Sequence, residues 1–186
     1  MRRSQLIDVD ECALFVQTAK RNYGKAVIGF RVRDVGPYKE YEKLTLILAV
    51  SSNGFIHVRL ADDAGTTTEI FKGFLTTLID RLEGMEQREE WVGPKVFIWD
   101  NLAAHKSDVI SNLLLIKNRL SVPRAPYWPV DGPIEYVFHL LEQQVRLRLY
   151  RIHTMDDLSR NIHEVITEFT PQTIENCFIH CGYLTN

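Results

Sequence analysis

Short apolar runs of strand length and longer runs with helical periodicity follow one another along this chain in one order, and that order limits its fold. Leu6, Ile7 and Val9 lie in a strand-like run at about 5–12. Lys43 to Ser52 and Phe55 to Ala61 flank Ser52-Asn53-Gly54, which reads as two strands joined by an Asn-Gly turn. Thr66 and Glu69 fit a capping box, and Ile70, Phe71, Phe74, Leu75, Leu78, Ile79 and Leu82 then recur at helical spacing. Lys95 to Asn101 reads as a buried strand, 108–118 as a helix and Leu120 to Val122 as a short strand. Gly132-Pro133 opens a long helix with an apolar stripe of Ile134, Val137, Phe138, Leu141, Val145 and Leu149, proline suiting the first helical position. Two further helices, at 154–169 and 171–182, form a C-terminal helical extension over 152–186. Glycines 24, 29 and 36 and Pro37 break up 13–42, which reads as an irregular or hairpin insertion. The order predicts an α/β fold: a mixed five-stranded sheet flanked by helices on both faces, with extra C-terminal helices, as a single domain over 1–186.

Composition narrows the function classes. With 186 residues, 45% of them hydrophobic and 25% charged, the chain can bury one sizeable core. No apolar run approaches the ~20 residues of a spanning helix, and no signal-peptide core follows Met1-Arg2-Arg3-Ser4. An intracellular protein with no membrane partner is expected. Cys12, Cys177 and Cys181 are odd in number and lack paired metal-ligand spacing, so all three read as buried small hydrophobes. A net charge of -2 argues against holding DNA through phosphate contacts alone. Local basic clusters occur at Lys20, Arg21 and Lys25, at Arg31 and Arg33, and at Arg146, Arg148 and Arg151; each reads equally well as solvated surface.

Three acids stand at element ends. Asp10 closes the first strand, Asp100 the fourth, and Glu135 falls in the first turn of the helix after the fifth. Strand ends of open α/β sheets are where ligand sites gather. Carboxylates from separate elements suit hard divalent cations, and a pair of ions ~3.5–4 Å apart serves in-line phosphoryl transfer. Asp8 lies two residues from Asp10 on the same strand face, so either could be the ligand. Each acid also has a plainer reading: Glu135 as a partner of the helix dipole, Asp100 as turn chemistry, Asp10 or Asp8 as a solvated edge residue.

Two blocks carry a family resemblance. Val96-Phe97-Ile98-Trp99-Asp100-Asn101 through His105-Lys106-Ser107 resembles the strand, Asp-Asn and His-Lys-Ser block of mariner-like DDE transposases. Pro126-Tyr127-Trp128-Pro129 through Gly132-Pro133-Ile134-Glu135 resembles their Pro-Tyr-Ser-Pro to Asn-Pro-Ile-Glu block, with Gly132 where the family usually has Asn, Val130 where it often has Asp and Trp128 where it often has Ser. Thirty-four residues separate Asp100 from Glu135, the spacing of the family's triad, and Asp10-Glu11 resembles the Asp-Glu pair ending its first strand, which favours Asp10 over Asp8.

The resemblance implies a ribonuclease-H-like catalytic domain with Asp10, Asp100 and Glu135 as catalytic residues holding two Mg²⁺ or Mn²⁺ ions, performing DNA cleavage and strand transfer. It implies that Asn101 and His105 orient DNA or a metal-bound water; for His105, capping the following helix is an equal reading. Lys20, Arg21, Lys25, Lys106 and Arg146 are candidate contacts to the DNA backbone. Partners implied are DNA and either a second copy of the chain or a separate DNA-recognition module, because only four residues precede the first strand where relatives carry helix-turn-helix modules. The compartment would be the nucleus in a eukaryote and the cytoplasm in a prokaryote. The competing expectation is a catalytically silent or host-retained module that binds nucleic acid or protein.

Overall fold

The computed structural model describes residues 5–16, 25–31, 43–62, 65–90, 95–100, 102–124 and 132–183. The strands are β1 (Leu6–Phe15), β2 (Lys43–Ser51), β3 (Gly54–Ala61), β4 (Val96–Trp99) and β5 (Leu120–Pro123). They form one sheet in the order β3-β2-β1-β4-β5. The β1–β2 and β2–β3 pairs are antiparallel; β1–β4 and β4–β5 are parallel. The helices are α1 (Thr68–Gln87), α2 (Asp108–Ile116), α3 (Pro133–Leu147), α4 (Met155–Glu168) and α5 (Pro171–His180).

Alternation along β1 divides the core into two layers. Leu6 and Leu14 face a cluster with Ile134, Val137, Leu141, Ile162 and Phe178 from α3, α4 and α5. Ile7 and Val9 face the other way, onto Phe71, Phe74, Leu75 and Leu78 of α1 and Ile110 of α2. Because helices cover both faces, β2 is buried nearly throughout and reads as an almost continuous apolar run, and β1 is buried from Leu6 to Asp10 despite its two aspartates. Asp8 and Asp10 share the α3 face with Leu6 and Leu14; Glu11 points to the α1 and α2 face.

Several boundaries differ from the sequence expectation. β1 runs on to Phe15, since its ladder with β2 continues from Asp10↔Leu48 to Phe15↔Lys43. Pairing overrides the weak strand propensity of Asp10-Glu11-Cys12-Ala13. Asp10 therefore lies inside β1 rather than closing it, residues 13–15 belong to the sheet rather than to an insertion, and 17–24 and 32–42 lie outside the described residues. Thr67, not Thr66, caps α1, its Oγ1 accepting from the Ile70 N–H at 3.3 Å, so the Thr66–Glu69 box does not form. α2 stops at Ile116, two residues before Asn118, whose φ of 51° is left-handed. Leu149 falls in a 3-10 turn over Leu149–Arg151, so the buried stripe of α3 ends at Val145. Of the three cysteines only Cys177 is fully buried; Cys12 and Cys181 are half-buried.

The edge of the sheet far from the strand ends is closed by charge. Lys95, buried just before β4, pairs with Glu86 of α1, and Arg119 grips the same carboxylate at 2.8 and 3.1 Å. The Arg119 hydrogen bonds, with help from Lys95 and against burial, hold Glu86 down to about 2. This arrangement ties the end of α1 to the starts of β4 and β5, which fixes the two parallel strands whose opposite ends carry the acids.

Candidate active site

β1 and β4 run parallel with Asp8 beside Ile98. Two further steps along that register bring Asp100, the first residue after β4, beside Asp10. The charges are felt across the gap: burial is the largest influence raising the Asp10 pKa, and Asp100 and Glu11 add to it against Arg124 and the Glu11 N–H. β5 delivers Arg124 to the same end, its N–H donating to the Trp99 carbonyl at 2.8 Å. α3 then begins at Pro133, with Gly132 as its cap residue and Glu135 in its first turn.

Arg124 is the centre of the arrangement. Its Nη1 donates to Asp10 Oδ2 at 3.0 Å and lies 4.0 Å from Glu135 Oε1, while Nη2 donates to Asp8 Oδ1. Asp8 is sealed from solvent, and its second oxygen accepts the Ile134 N–H at 3.1 Å. Burial pushes Asp8 up to about 6, outweighing Arg124 and the Ile134 amide. Asp8 thus pins the start of α3 to β1. Asp10 is slightly more open; its Oδ1 accepts from the Glu11 N–H at 2.8 Å. The Glu135 side chain is about half exposed at 48%.

A second set of contacts orients Asp100 from the other face. His105 is buried with Nδ1 2.8 Å from Asp100 Oδ1 and Nε2 3.3 Å from Glu11 Oε2. Burial pulls the His105 pKa down, but Glu11 and Asp100 outweigh it and the net shift is upward. The ring thus lies within ion-pair distance of two carboxylates, one on each side. Asp100 Oδ1 also accepts the Leu102 N–H at 2.9 Å. Phe71 packs on the imidazole at 4.1 Å between ring centroids, so the α1 core holds the ring in place. His105 does not cap α2; Ser107 does, accepting from the Ile110 N–H.

Arg124 draws Asp8, Asp10 and Glu135 together, and Asp100 follows β4 on the neighbouring strand, near enough for its charge to act on Asp10. Lys25 and Lys106 are exposed, and Arg146 is engaged by Glu142 at 3.2 Å, an i,i+4 pair along α3. Arg148 is likewise committed, to Glu168 and Glu164 of α4. Lys20, Arg21 and Asn101 lie outside the described residues. Sequence reasoning missed Arg124 and the bridging role of Glu11. Arg124's one local signal was its place directly after the third parallel strand, level with the two aspartates.

Among the described residues, no three His, Cys, Asp or Glu side chains converge into a ready-made metal cage. The donor chemistry nonetheless fits a hard divalent cation: oxygen donors from three elements, and a positive charge already drawn between Asp10 and Glu135. An open groove of about 500 Å³ meets the cluster at Glu135 and runs along α3 past Tyr136, His139 and Glu142, with Cys12 on its β1 side.

A family model described as DDE superfamily endonuclease matches residues 5–159. No curated protein sequence matches the chain. Among solved structures, a pre-cleavage Mos1 transpososome is 17% identical with a TM-score of 0.78, over 96% of this chain and 53% of that one. The Mos1 mariner paired end complex with Mn is 18% identical with a TM-score of 0.79, over 95% and 52%. The catalytic domain of Mos1 mariner transposase is 15% identical with a TM-score of 0.71, over 96% and 77%. The fold is thus that ribonuclease-H-like catalytic-domain fold, and the chain spans about half the length of the transposase chains in the complexes.

Proposed function

The chain belongs to the DDE superfamily endonucleases, and from that premise we propose that it is a transposase-type catalytic domain that cleaves and joins DNA strands with divalent metal. The observation that carries the reading is that β4 lies parallel beside β1, α3 is tied to β1 through Asp8, and Arg124 reaches both Asp10 and Glu135, so the elements bearing Asp10, Asp100 and Glu135 are neighbours. Asp10, Asp100 and Glu135 would hold two Mg²⁺ or Mn²⁺ ions. When bound, such ions activate the attacking oxygen and stabilise the leaving one during in-line displacement. The protein's part is to hold the carboxylates: Asp8 fixes the start of α3 and hence Glu135, and the Glu11–His105 pair orients Asp100. Mos1 structures with Mn and with Mg, in paired end and strand transfer complexes, support the choice of metal and of DNA as substrate. Lys25 and Lys106 are the exposed described cations offered to the DNA backbone, and a second copy of the chain is the proposed partner. No helix among the described residues is long and apolar enough to cross a membrane.

One observation favours a catalytically silent binding module instead: Arg124 already pairs with Asp8 and Asp10. Incubation with supercoiled and branched DNA in Mg²⁺ or Mn²⁺, beside an Asp100→Asn variant, separates the two. Nicking by the parent and not the variant is expected. Equal DNA retention with no cleavage by either would overturn the enzymatic reading and leave the binding module.

A further inference from the structure

We propose that Arg124 is a built-in cation gate on the acid cluster, which must release Asp10 before a divalent ion binds there, and that Gly132 exists in this chain to make room for it. The inference rests on the metal-dependent reading above and concerns a residue outside the triad.

Geometry carries it. Both oxygens of Asp8 are engaged, Oδ1 by Arg124 and Oδ2 by the Ile134 amide. Both oxygens of Asp10 are engaged too, Oδ1 by the Glu11 amide and Oδ2 by Arg124. The bond from Arg124 Nη1 is the one on Asp10 that sets a positive charge against it, the other being a neutral amide from the next residue. That nitrogen lies 3.0 Å from Asp10 and 4.0 Å from Glu135, two of the acids that would hold an ion. Release need not expel the arginine, because Nη2 stays anchored on Asp8 and a modest rotation of the guanidinium suffices.

Gly132 completes the device. A Cβ at this position would lie 2.6 Å from Arg124 Cζ and Nη2 and 2.7 Å from Nε. Any side chain there forces the guanidinium aside. Backbone strain does not explain the glycine, since its φ of -70° and ψ of 160° are open to every residue. Nor does helix capping, for which a hydroxyl or amide side chain serves better. The absence of Cβ and the presence of the guanidinium are one matched feature. Its consequence is a cluster whose repulsion is relieved in part without metal and which binds metal weakly, with the Asp10–Arg124 contact as the barrier.

The test measures Mn²⁺ binding to the intact chain without DNA, from the EPR signal of the free ion, in the parent and in the Arg124→Gln, Gly132→Ala and Glu135→Gln variants. Arg124→Gln and Gly132→Ala are expected to bind Mn²⁺ about tenfold more tightly or better, which corresponds to ~1.4 kcal/mol; Glu135→Gln is expected to bind less. In chelator Arg124→Gln should melt earlier than the parent and gain more from added Mn²⁺ than the parent does. Gly132→Ala keeps every charge and an allowed backbone, so it decides the matter if Arg124→Gln does not fold. Equal Mn²⁺ affinity in the parent and both gate variants, lowered by Glu135→Gln, overturns the gate and leaves the metal reading standing. Absence of Mn²⁺ binding in every form, or binding indifferent to Glu135, overturns both.

Discussion

A Glu135→Gln chain is expected to fold as the parent does and to lose metal-dependent nicking by a hundredfold or more. The fold is spared because the Glu135 side chain is half exposed and α3 is held by its buried stripe and by the Ile134–Asp8 hydrogen bond. Activity is not spared, because the amide keeps the shape but loses the charge that holds a hard cation. Loss of a residue that only orients a metal ligand already costs roughly 10–100-fold, so loss of a ligand should cost at least the upper end. Plasmid nicking rates alongside thermal melting read both halves of this expectation. A variant that nicks at the parent rate would remove Glu135 from the site.

The second large effect is in the core. Phe71→Ala should destabilise the protein by ~3–5 kcal/mol, the usual cost of emptying a fully buried aromatic site. For a domain of this length that lowers the melting temperature by roughly 10 °C. Phe71 is completely buried and meets Trp99 edge-on at 5.6 Å, with the His105 ring closer and tilted against it. Because His105 bridges Asp100 and Glu11, the cavity should also loosen Asp100. Nicking measured well below the variant's melting point is expected to fall too, whereas a cavity confined to stability would leave it unchanged. A Leu78→Ala variant, buried in the same layer, supplies the comparison.

Much of the fold was legible because its signals are local. Periods of two and of 3.6, the Asn53-Gly54 turn and Pro133 at the start of α3 all act within a few residues, and each marked its element. The length of β1 was not legible, since residues 13–15 are strand only by virtue of pairing with β2. Asp8 and Asp10 could not be told apart by alternation, which places both on the α3 face. What separates them is depth and the Ile134 amide, 126 residues away in sequence from Asp8. Arg124 carried one local signal, its place directly after β5; its meaning comes from aspartates 114 and 116 residues distant. The departure at Gly132 was visible as a missing asparagine, but its reason appeared only once the guanidinium was seen against it.

Asp10, Asp100 and Glu135 as the ligands of divalent metal form the centre of this account, and anomalous scattering from crystals equilibrated with Mn²⁺ tests it most directly. The expected result is Mn²⁺ density bounded by Asp10, Asp100 and Glu135, with Asp8 still bonded to the Ile134 amide and Arg124 turned away from Asp10. Density lodged at Asp8, or none beside Asp10 at saturating Mn²⁺, would contradict it.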